Sequence, residues 1–382
     1  MKQYNFDQVI DRKNTHSYKW DNVTYAGPMI PMPVADMDFV VADEILEVLH
    51  KINEHGILGY SIVPESLKLE AQKKLKADYQ WETELDWQVW IPGIVPGITA
   101  ACAAFCAESQ GILTAVPVYH PFHLVSGWVN KPLLTFPMVE KNGRWTYDFV
   151  AFENELKKNP GVFLFCNPHN PGGTVFNQSE IDRIVDLCQQ YDCTIISDEI
   201  HADLRIHPQS EHICIGKSLS STTPAISFFA TSKAYNTAGL GGSVAIIPDA
   251  ITRNAFVKQT FGFFPMLSRH SIDVMLATYQ HGQDWLSQLL PYLRSNHDVL
   301  FNRINALTGL KMLPLEATYL AWIEYDENVL GDFQARLFNK GLHVLRGDQF
   351  KGKNFIRLNF ACPLSTLEEA ISIIEETVHE NP

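Results

Sequence analysis

The chain contains 382 residues, of which 46% are hydrophobic and 19% are charged, so it is long enough for two hydrophobic cores. Its net charge is −13, from 43 acidic residues against 30 Lys and Arg, which argues against binding to nucleic acid or to anionic membrane. The sequence has no apolar run long enough for a membrane span, and its first residues lack the apolar core of a secretory signal.

The seven cysteines indicate a reducing compartment. They form no C-x-x-C pair, their number is odd, and most lie within apolar segments, which is typical of buried reduced thiols. We therefore expect a cytoplasmic protein. The positions are Cys102, Cys106, Cys166, Cys188, Cys193, Cys214 and Cys362.

The first predicted unit is an N-terminal segment, residues 1–45, which we expect to pack with a smaller C-terminal domain. A large domain follows at residues 46–282. Near its start, the run Pro96-Gly97-Ile98-Thr99 is predicted to open an Ala-rich helix, and a later apolar stretch ends at Tyr119.

Four short apolar runs in the middle of the chain predict strands that are buried on both faces. A helix is predicted between the first two strands at Ser179–Tyr191, with Ser179 as its cap and Asp182 completing a weak capping box. Strands that alternate with helices are typical of a mostly parallel sheet covered by helices on both faces, an α/β fold. The predicted strands are residues 162–166, 194–197, 225–230 and 243–247.

The end of the chain predicts a smaller α+β domain, residues 283–382, which begins with a long helix near residues 283–307. The last helix is predicted at Ser365–Val378, with Ser365 and Glu368 as a capping box. The remaining predicted elements are strands at 311–313, 319–324, 343–345 and 355–359 and a helix at 333–340.

Polar residues follow three of the predicted strands. In open α/β sheets ligands bind beyond the carboxyl ends of the strands, so these side chains are expected to share one site. They offer an amide, a carboxylate and an amine beside a phosphate-binding helix start and an aromatic ring, which suits an amine-reactive pyridinium phosphate. The residues are Asn170 after the first strand, Asp198 and His201 after the second, and Thr231, Ser232 and Lys233 after the third.

Several segments resemble motifs of one enzyme family. ATSKAYNTAGL resembles the Schiff-base segment of fold-type I pyridoxal-phosphate enzymes of the class I/II aminotransferase family, and NPHNPGG and SDEIH resemble two further motifs in the expected order. Within that family, FDQVIDRKNTHSYKWD, VADMDF, LGYS and DEIHADL resemble the cystathionine β-lyase branch of MalY/PatB type. The resemblance extends from Phe6 to about Pro363, and it implies pyridoxal 5'-phosphate as the cofactor.

The resemblance implies roles for the central residues. Lys233 is expected to form the Schiff base and to move the Cα proton, although an isolated Ser-Lys would more often be a surface lysine in a Gly-rich loop. Asp198 is expected to face the pyridine nitrogen and keep the ring protonated, with a helix cap as the alternative. Asn170 is expected to donate to the phenolic oxygen, with a plain Pro-Gly turn as the alternative.

Two side chains with aromatic rings, Tyr119 and His201, are also expected near the cofactor. Tyr119 resembles the residue that stacks on the cofactor ring, and a core tyrosine is the alternative. His201 stands where aminotransferases of this fold usually have tyrosine, and it is equally well explained as a hydrogen-bonded core histidine. A metal site from His201, Asp203 and His207 is possible by spacing, but soft or clustered ligands are lacking, so no metal is expected.

Phosphate is expected at the predicted helix start. There Gly97, Ile98 and Thr99 would offer free N–H groups and the positive end of the helix dipole, and Thr231 or Ser232 could add a hydroxyl. Tyr60 resembles the tyrosine that reaches the phosphate of a neighbouring subunit, which implies a homodimer with a shared active site.

Arg357 resembles the arginine that binds the substrate α-carboxylate, because a guanidinium matches a carboxylate with two parallel bonds. An ordinary surface ion pair is the alternative. Two positions depart from the family pattern: Gly241 stands where many relatives have a phosphate-binding arginine, and Pro33 stands where a tryptophan is usual.

The resemblance implies β-elimination from an amino-acid substrate, L-cystathionine or a related cysteine S-conjugate, to give a thiol, pyruvate and ammonia. A class I/II aminotransferase is the alternative, because it shares every step up to removal of the Cα proton. A non-catalytic regulator that keeps the fold is a second alternative. The sequence does not identify the thiol leaving group.

Overall fold

A central eight-stranded sheet organises this computed structural model, which describes residues 2–23, 25, 27–220 and 223–380. The strands are β1 Ile30–Pro31, β2 Gln88–Ile91, β3 Ile112–Val116, β4 Leu133–Lys141, β5 Arg144–Tyr147, β6 Val162–Cys166, β7 Thr194–Asp198, β8 Ala225–Phe229, β9 Ser243–Ile246, β10 Leu310–Met312, β11 Leu320–Tyr325, β12 Leu342–His343, β13 Leu345–Arg346 and β14 Phe355–Asn359. The helices are α1 Tyr18–Asp21, α2 Asp43–His55, α3 Glu65–Tyr79, α4 Ile94–Phe105, α5 Pro121–Trp128, α6 Phe149–Leu156, α7 Gln178–Gln190, α8 Ala250–Thr260, α9 Arg269–His281, α10 Gln283–Asn305, α11 Glu327–Leu330, α12 Phe333–Asn339 and α13 Leu364–His379.

The sheet order is β2-β9-β8-β7-β6-β3-β4-β5, and its centre is parallel from β8 to β4. The predicted α/β fold with a mostly parallel sheet is therefore confirmed. Strand β9 differs from its parallel neighbours, because it runs antiparallel to both β8 and β2. A return in the parallel direction needs a long crossover connection, usually an α-helix. Residues 230–242, which connect β8 to β9, contain one short 3₁₀ helix, Ala238–Leu240, and no α-helix.

Alternating side chains of the central strands fill two apolar layers, one on each face of the sheet. Val162 and Leu164 of β6 pack in one layer with α4, α5 and α8, while Phe163 and Phe165 pack in the other with α6 and α7. This arrangement explains why β6 reads as a continuous apolar run, since both faces of the strand are covered by helices.

The N-terminal segment packs against the C-terminal part of the chain. Strand β1 pairs in parallel with β12, and Phe6 and Phe39 share an apolar cluster with Trp285 of α10 and Ile371 of α13. A second sheet of order β10-β11-β14-β13 is antiparallel and lies in the same part of the chain. The domain boundaries at residues 45 and 282 stay predictions, and the ends of the outer ranges (residues 1, 381 and 382) lie outside the described residues.

Two predicted helix caps were wrong. Helix α7 is capped by Asn177, whose side chain accepts from the Glu180 N–H while the Glu180 side chain accepts from the Asn177 N–H. Ser179 lies inside the helix and its hydroxyl donates to Asn177 Oδ1 at 2.7 Å. Helix α13 begins after Pro363, which has no side-chain cap, so Ser365 is already helical. Asn caps as well as Ser does, so several polar residues before a helix leave its first residue undetermined.

All seven cysteines are buried and free, as predicted. Within the part of the chain that the structure describes, none of the helices combines the length and the apolar character that crossing a membrane requires.

Candidate active site

The carboxyl ends of β3, β6, β7 and β8 open onto a cleft of about 540 Å³. The parallel strands deliver their following residues to the same edge of the sheet, which is why residues far apart in sequence meet there. Strand β14 of the second sheet adds one wall. The sequence-predicted site residues that line this cleft are Tyr119, Asn170, Asp198, His201, Ser232, Lys233 and Arg357.

Lys233 lies on the loop after β8, where its side chain is half-buried and faces the cleft. Its Nζ donates a hydrogen bond to the Ala35 carbonyl oxygen at 2.7 Å. Burial, together with the nearby charge of Arg357, lowers the pKa of Lys233 to about 8, against the opposing charges of Asp36 and Asp198. A solvated surface lysine would have neither feature, so the geometry favours a reactive amine.

Asp198 ends β7 and is 5% exposed. Burial raises the pKa of Asp198 to about 7, and this rise is opposed by the Ile200 N–H, which donates to Asp198 Oδ1 at 3.1 Å, and by the charge of Lys233. The following residues form turns and no helix starts there, which argues against a helix cap. A cationic ligand against this carboxyl group would favour its charged form.

Arg357 lies on β14 and is only 3% exposed. Its two terminal nitrogens donate to Asn170 Oδ1 at 3.1 Å and to the Pro33 carbonyl oxygen at 2.8 Å, and its Nε has no partner among the described residues. Burial lowers the pKa of Arg357 to about 10, so the guanidinium stays charged at neutral pH. A buried cation with neutral partners is not a surface ion pair, and it suits an anionic ligand.

Asn170 and Tyr119 are held together by the backbone. The Tyr119 N–H donates to the Asn170 carbonyl oxygen at 2.9 Å. The Asn170 side-chain oxygen is occupied by Arg357, which leaves its NH₂ group for a ligand oxygen. The Tyr119 ring is half-buried and borders the cleft, so it can contact a ligand as well as the core.

His201 is buried, and its Nδ1 has no hydrogen-bond partner among the described residues. Burial lowers the pKa of His201 to about 3, so the ring is neutral. The ring lies edge-on to Tyr319 with centroids 6.4 Å apart. An unpartnered nitrogen at the cleft does not fit a hydrogen-bonded core histidine, and it suits a contact with a ligand.

The metal alternative finds no support in the positions of its residues. Asp203 accepts from Lys74 at 2.8 Å and from the Tyr79 hydroxyl. Within the described ranges, the His, Cys, Asp and Glu side chains that converge closely are instead Glu199, His212 and Cys214. His212 Nε2 lies 2.7 Å from Glu199 Oε2, a hydrogen-bond distance between two completely buried groups.

The predicted phosphate-binding residues Gly97, Ile98 and Thr99 do not line the cleft, so the structure does not support their predicted role. Helix α4 begins at Ile94, and the Gly97 N–H already donates to the Gly93 carbonyl oxygen at 3.2 Å. The free N–H groups of a helix belong to its first turn, which here borders the cleft. The cleft residues of this turn and its approach are Pro92, Gly93, Ile94, Val95 and Pro96.

Two further predicted residues lie outside the cleft of this chain. Thr231 is 2% exposed and does not line the cleft, whereas its neighbour Ser232 borders the cleft. Tyr60 is 97% exposed on the loop between α2 and α3. The predicted contact of Tyr60 with the phosphate of a neighbouring subunit stays a prediction.

The comparisons with known proteins identify the family of this chain. Residues 37–374 match the family model for aminotransferase class I and II. The chain belongs to this family. It is 32% identical to cystathionine beta-lyase PatB of Bacillus subtilis (strain 168), over 97% of this chain and 99% of the relative. The predicted family is confirmed.

Solved structures show the same similarity over the whole chain. The crystal structure of OvoB matches with a TM-score of 0.95 at 34% identity, covering 99% of this chain and 100% of that one. Cystalysin from Treponema denticola, whose crystal structure contains pyridoxal 5'-phosphate, matches with a TM-score of 0.92 at 29% identity, covering 99% of both chains.

This aminotransferase-family chain has no arginine at position 241, and the local backbone gives a reason. Gly241 has a φ of +68°, and a Cβ there would lie 3.0 Å from the Pro92 carbonyl oxygen. Any side chain would therefore be strained. Among the described residues that line the cleft, the Lys and Arg side chains are Lys233 and Arg357.

Sequence reasoning missed several cleft residues. His120 has an unpartnered Nδ1, and burial lowers the pKa of His120 to about 4. Tyr18 and Gln349 also border the cleft. His120 is adjacent to Tyr119, and Tyr18 lies in the opening motif, so both are close in sequence to residues named in the sequence analysis. No sequence pattern, however, predicts the direction of their side chains.

Proposed function

We propose that this protein is a pyridoxal-phosphate-dependent C–S lyase that catalyses β-elimination on L-cystathionine or a related cysteine S-conjugate. The observation that carries the proposal is one cleft that holds an amine with a lowered pKa, a buried acid and a buried guanidinium, at Lys233, Asp198 and Arg357. The cystathionine beta-lyase PatB and cystalysin, both similar over nearly the full chain, support the same reaction.

The donors and acceptors of the cleft fit the cofactor. Asp198 offers a carboxylate for a protonated ring nitrogen, and the free N–H groups at the start of α4 suit a phosphate. Asn170 and His201 offer an NH₂ group and an unpartnered ring nitrogen to the ring oxygen. Lys233 would hold the aldehyde carbon.

The chain's own residues then orient the substrate and move the proton. Arg357 would bind the substrate carboxylate through two parallel hydrogen bonds, which fixes the direction of the Cα–H bond. Lys233 Nζ would accept the Cα proton, and its lowered pKa makes the neutral amine available. The bound cofactor supplies the electron sink for the Cα carbanion. The Cβ–S bond breaks with release of the thiolate, and water converts the remainder to pyruvate and ammonia.

A substrate panel with pyruvate detection tests the proposal. Wild-type protein is expected to release pyruvate from L-cystathionine without any keto-acid acceptor. Lys233→Ala should release none, whereas Lys258→Ala, which removes an exposed lysine of α8, should match wild type. Activity only in the presence of a keto acid would instead favour an aminotransferase, the alternative that the family match keeps open.

Borohydride trapping separates an enzyme from a non-catalytic regulator. With pyridoxal 5'-phosphate and borohydride, peptide mass spectrometry should find the reduced cofactor on Lys233. No adduct at Lys233 would support the regulator.

We further propose a cytoplasmic homodimer in which Tyr60 of one subunit reaches the phosphate site of the other. The two loops that follow α2 and precede α9 support this, because they expose large apolar side chains, and such surfaces mark interfaces. The side chains are Ile57, Leu58, Tyr60, Ile62, Phe261, Phe263 and Met266. Seven free, buried cysteines support the reducing compartment.

A further inference from the structure

The two opening motifs, residues 6–21 and 34–39, meet at a group of charged side chains that the site described above does not include. We call Arg12, Lys19, Trp20, Asp36 and Asp38 the N-terminal charge cluster. The first three come from one motif and the two carboxylates from the other, and none of the five lines the cleft. The two motifs are therefore in direct contact in the folded chain.

Asp38 is the centre of the N-terminal charge cluster. Its Oδ1 accepts from Arg12 at 2.6 Å and from Trp20 Nε1 at 2.9 Å, and its Oδ2 accepts from Lys19 Nζ at 2.6 Å. The Lys19 side chain is 0% exposed and that of Asp38 is 7% exposed. Asp36 accepts from Arg12 at 3.0 Å, so two cations face two carboxylates. Removal of one member would leave a buried charge unpaired.

The segment that carries both carboxylates also touches the active site. We call residues 33–39 the strap. Its Pro33 carbonyl oxygen accepts from Arg357 at 2.8 Å, and its Ala35 carbonyl oxygen accepts from Lys233 at 2.7 Å and from the Tyr319 hydroxyl at 3.1 Å. The strap thus contacts the reactive amine and the carboxylate-binding guanidinium through carbonyls two residues apart.

Two asparagines donate to four further carbonyls of the strap. Asn359 Nδ2 donates to the carbonyl oxygens of residues 34 and 36, at 2.6 Å each. Asn236, three residues after Lys233, donates to the carbonyl oxygens of residues 37 and 39 at 3.0 and 2.9 Å. The strap is therefore bonded to β14 of the second sheet, to the loop after β8 and to the N-terminal charge cluster.

We infer that Asp38, together with Arg12 and Lys19, positions Lys233 and Arg357 through the strap. The inference rests on the proposed function and assigns a role to the opening motifs. A carbonyl that accepts from a donor fixes the donor's direction, so a shift of the strap moves both active-site side chains. A shift of about 1 Å at such a distance from the chemistry can lower a rate about a hundredfold.

The experiment compares Asp38→Asn and Trp20→Phe with a matched control, Arg303→Gln. Arg303 donates to Glu375 at 2.7 Å and joins α10 to α13 in a part of the chain that does not line the cleft. Below the unfolding temperature we measure the rate at which cofactor-free protein captures pyridoxal 5'-phosphate, and KM and kcat for L-cystathionine. The thermal unfolding midpoint is measured separately.

For Asp38→Asn we expect slower capture and a higher KM, each by about tenfold to a hundredfold. Trp20→Phe keeps both cations on Asp38 and should change both values in the same direction by less. Arg303→Gln should lower only the unfolding midpoint. A positioning role therefore changes the capture rate and KM, whereas a purely structural role lowers the unfolding midpoint alone.

Asp38→Asn and Trp20→Phe variants that fold but match Arg303→Gln in capture rate and KM would overturn the inference and leave the proposed function intact. Wild-type protein that captures pyridoxal 5'-phosphate but forms no pyruvate would contradict the proposed reaction, while the capture rates would still decide the inference. No capture by wild type would overturn both.

Discussion

Lys233 and Asp198 owe their unusual pKa values mainly to burial, which disfavours the charged form of either group. Lysine and aspartate therefore shift in opposite directions, to about 8 and about 7. The residue types could be predicted from the sequence, because motif order pointed to them. Their pKa values could not, because burial and the charge of Arg357 arise only where distant segments meet.

The pH dependence of cofactor capture tests the Lys233 pKa. Only the neutral amine attacks an aldehyde, so the capture rate should rise with pH, reach half its maximum near pH 8 and level off above that. The measurement is the absorbance change after pyridoxal 5'-phosphate is mixed with cofactor-free protein across a pH series. Arg357→Met should move the midpoint upward, because the charge of Arg357 lowers the pKa of Lys233. A rate that keeps rising to the pKa of an ordinary lysine would contradict this.

Arg357→Lys tests the carboxylate site. Lysine keeps the charge but cannot form two parallel bonds, so KM should rise about 10- to 100-fold, since a hydrogen bond to a charged group contributes about 1.5–3 kcal/mol. Steady-state kinetics with L-cystathionine give the value. Arg346→Lys, at an ion pair with Asp332, should leave KM unchanged. An equal KM for wild type and Arg357→Lys would assign the carboxylate to another group.

At the scale of elements, apolar patterns located the buried strands well, because a strand covered on both faces must be continuously apolar. They did not give the direction of β9 or the first residue of α4. The sequence Pro96-Gly97 predicted a helix start, but α4 begins at Ile94 and Gly97 lies inside the helix. A glycine at position 97 is explained by close packing. A Cβ on Gly97 would lie 2.5 Å from Ile91 Cδ1 and 2.8 Å from Phe228 Cε1, so this glycine lets α4 approach the sheet.

Gly97→Ala tests this close approach. The added methyl group should lower the free energy of unfolding by about 1–3 kcal/mol, which is typical of overpacking in a core. It should also weaken binding of pyridoxal 5'-phosphate, because α4 carries the free N–H groups at its start. Urea unfolding and cofactor titration measure the two effects. Gly127→Ala in α5, where an added Cβ meets no atom within 4 Å, is the control. Equal stability of the two variants would show that α4 can shift freely.

At the scale of the whole molecule, exposed apolar side chains concentrate on two loops that lie near each other. His270 Nε2 is 3.4 Å from Asn53 Oδ1, which places the start of α9 beside the end of α2. Val63 and Leu267, from the two loops, pack in one small cluster. A subunit contact here would bring Tyr60 of one chain to its neighbour.

Subunit mixing tests the shared active site. Tyr60→Ala and Lys233→Ala should each be impaired, but a mixed dimer would have one site free of both changes. Random exchange should therefore restore activity to about a quarter of the wild-type value, as expected for two shared sites in a symmetric dimer. Pyruvate release after dissociation and reassembly is the measurement. No recovery from verified mixed dimers would place each active site within one chain.

The sequence by itself determined the family, the mostly parallel sheet and the chemistry-bearing residues, because these depend on residue type, local periodicity and motif order. The tertiary structure decided what depends on distant segments that come into contact. It placed the free N–H groups at the start of α4 in the turn at 93–95 and not at residues 97–99, shifted the pKa values of Lys233 and Asp198, and joined the opening motifs at Asp38. Burial and close approach are properties of the packed chain, and a linear pattern does not record which segments pack together.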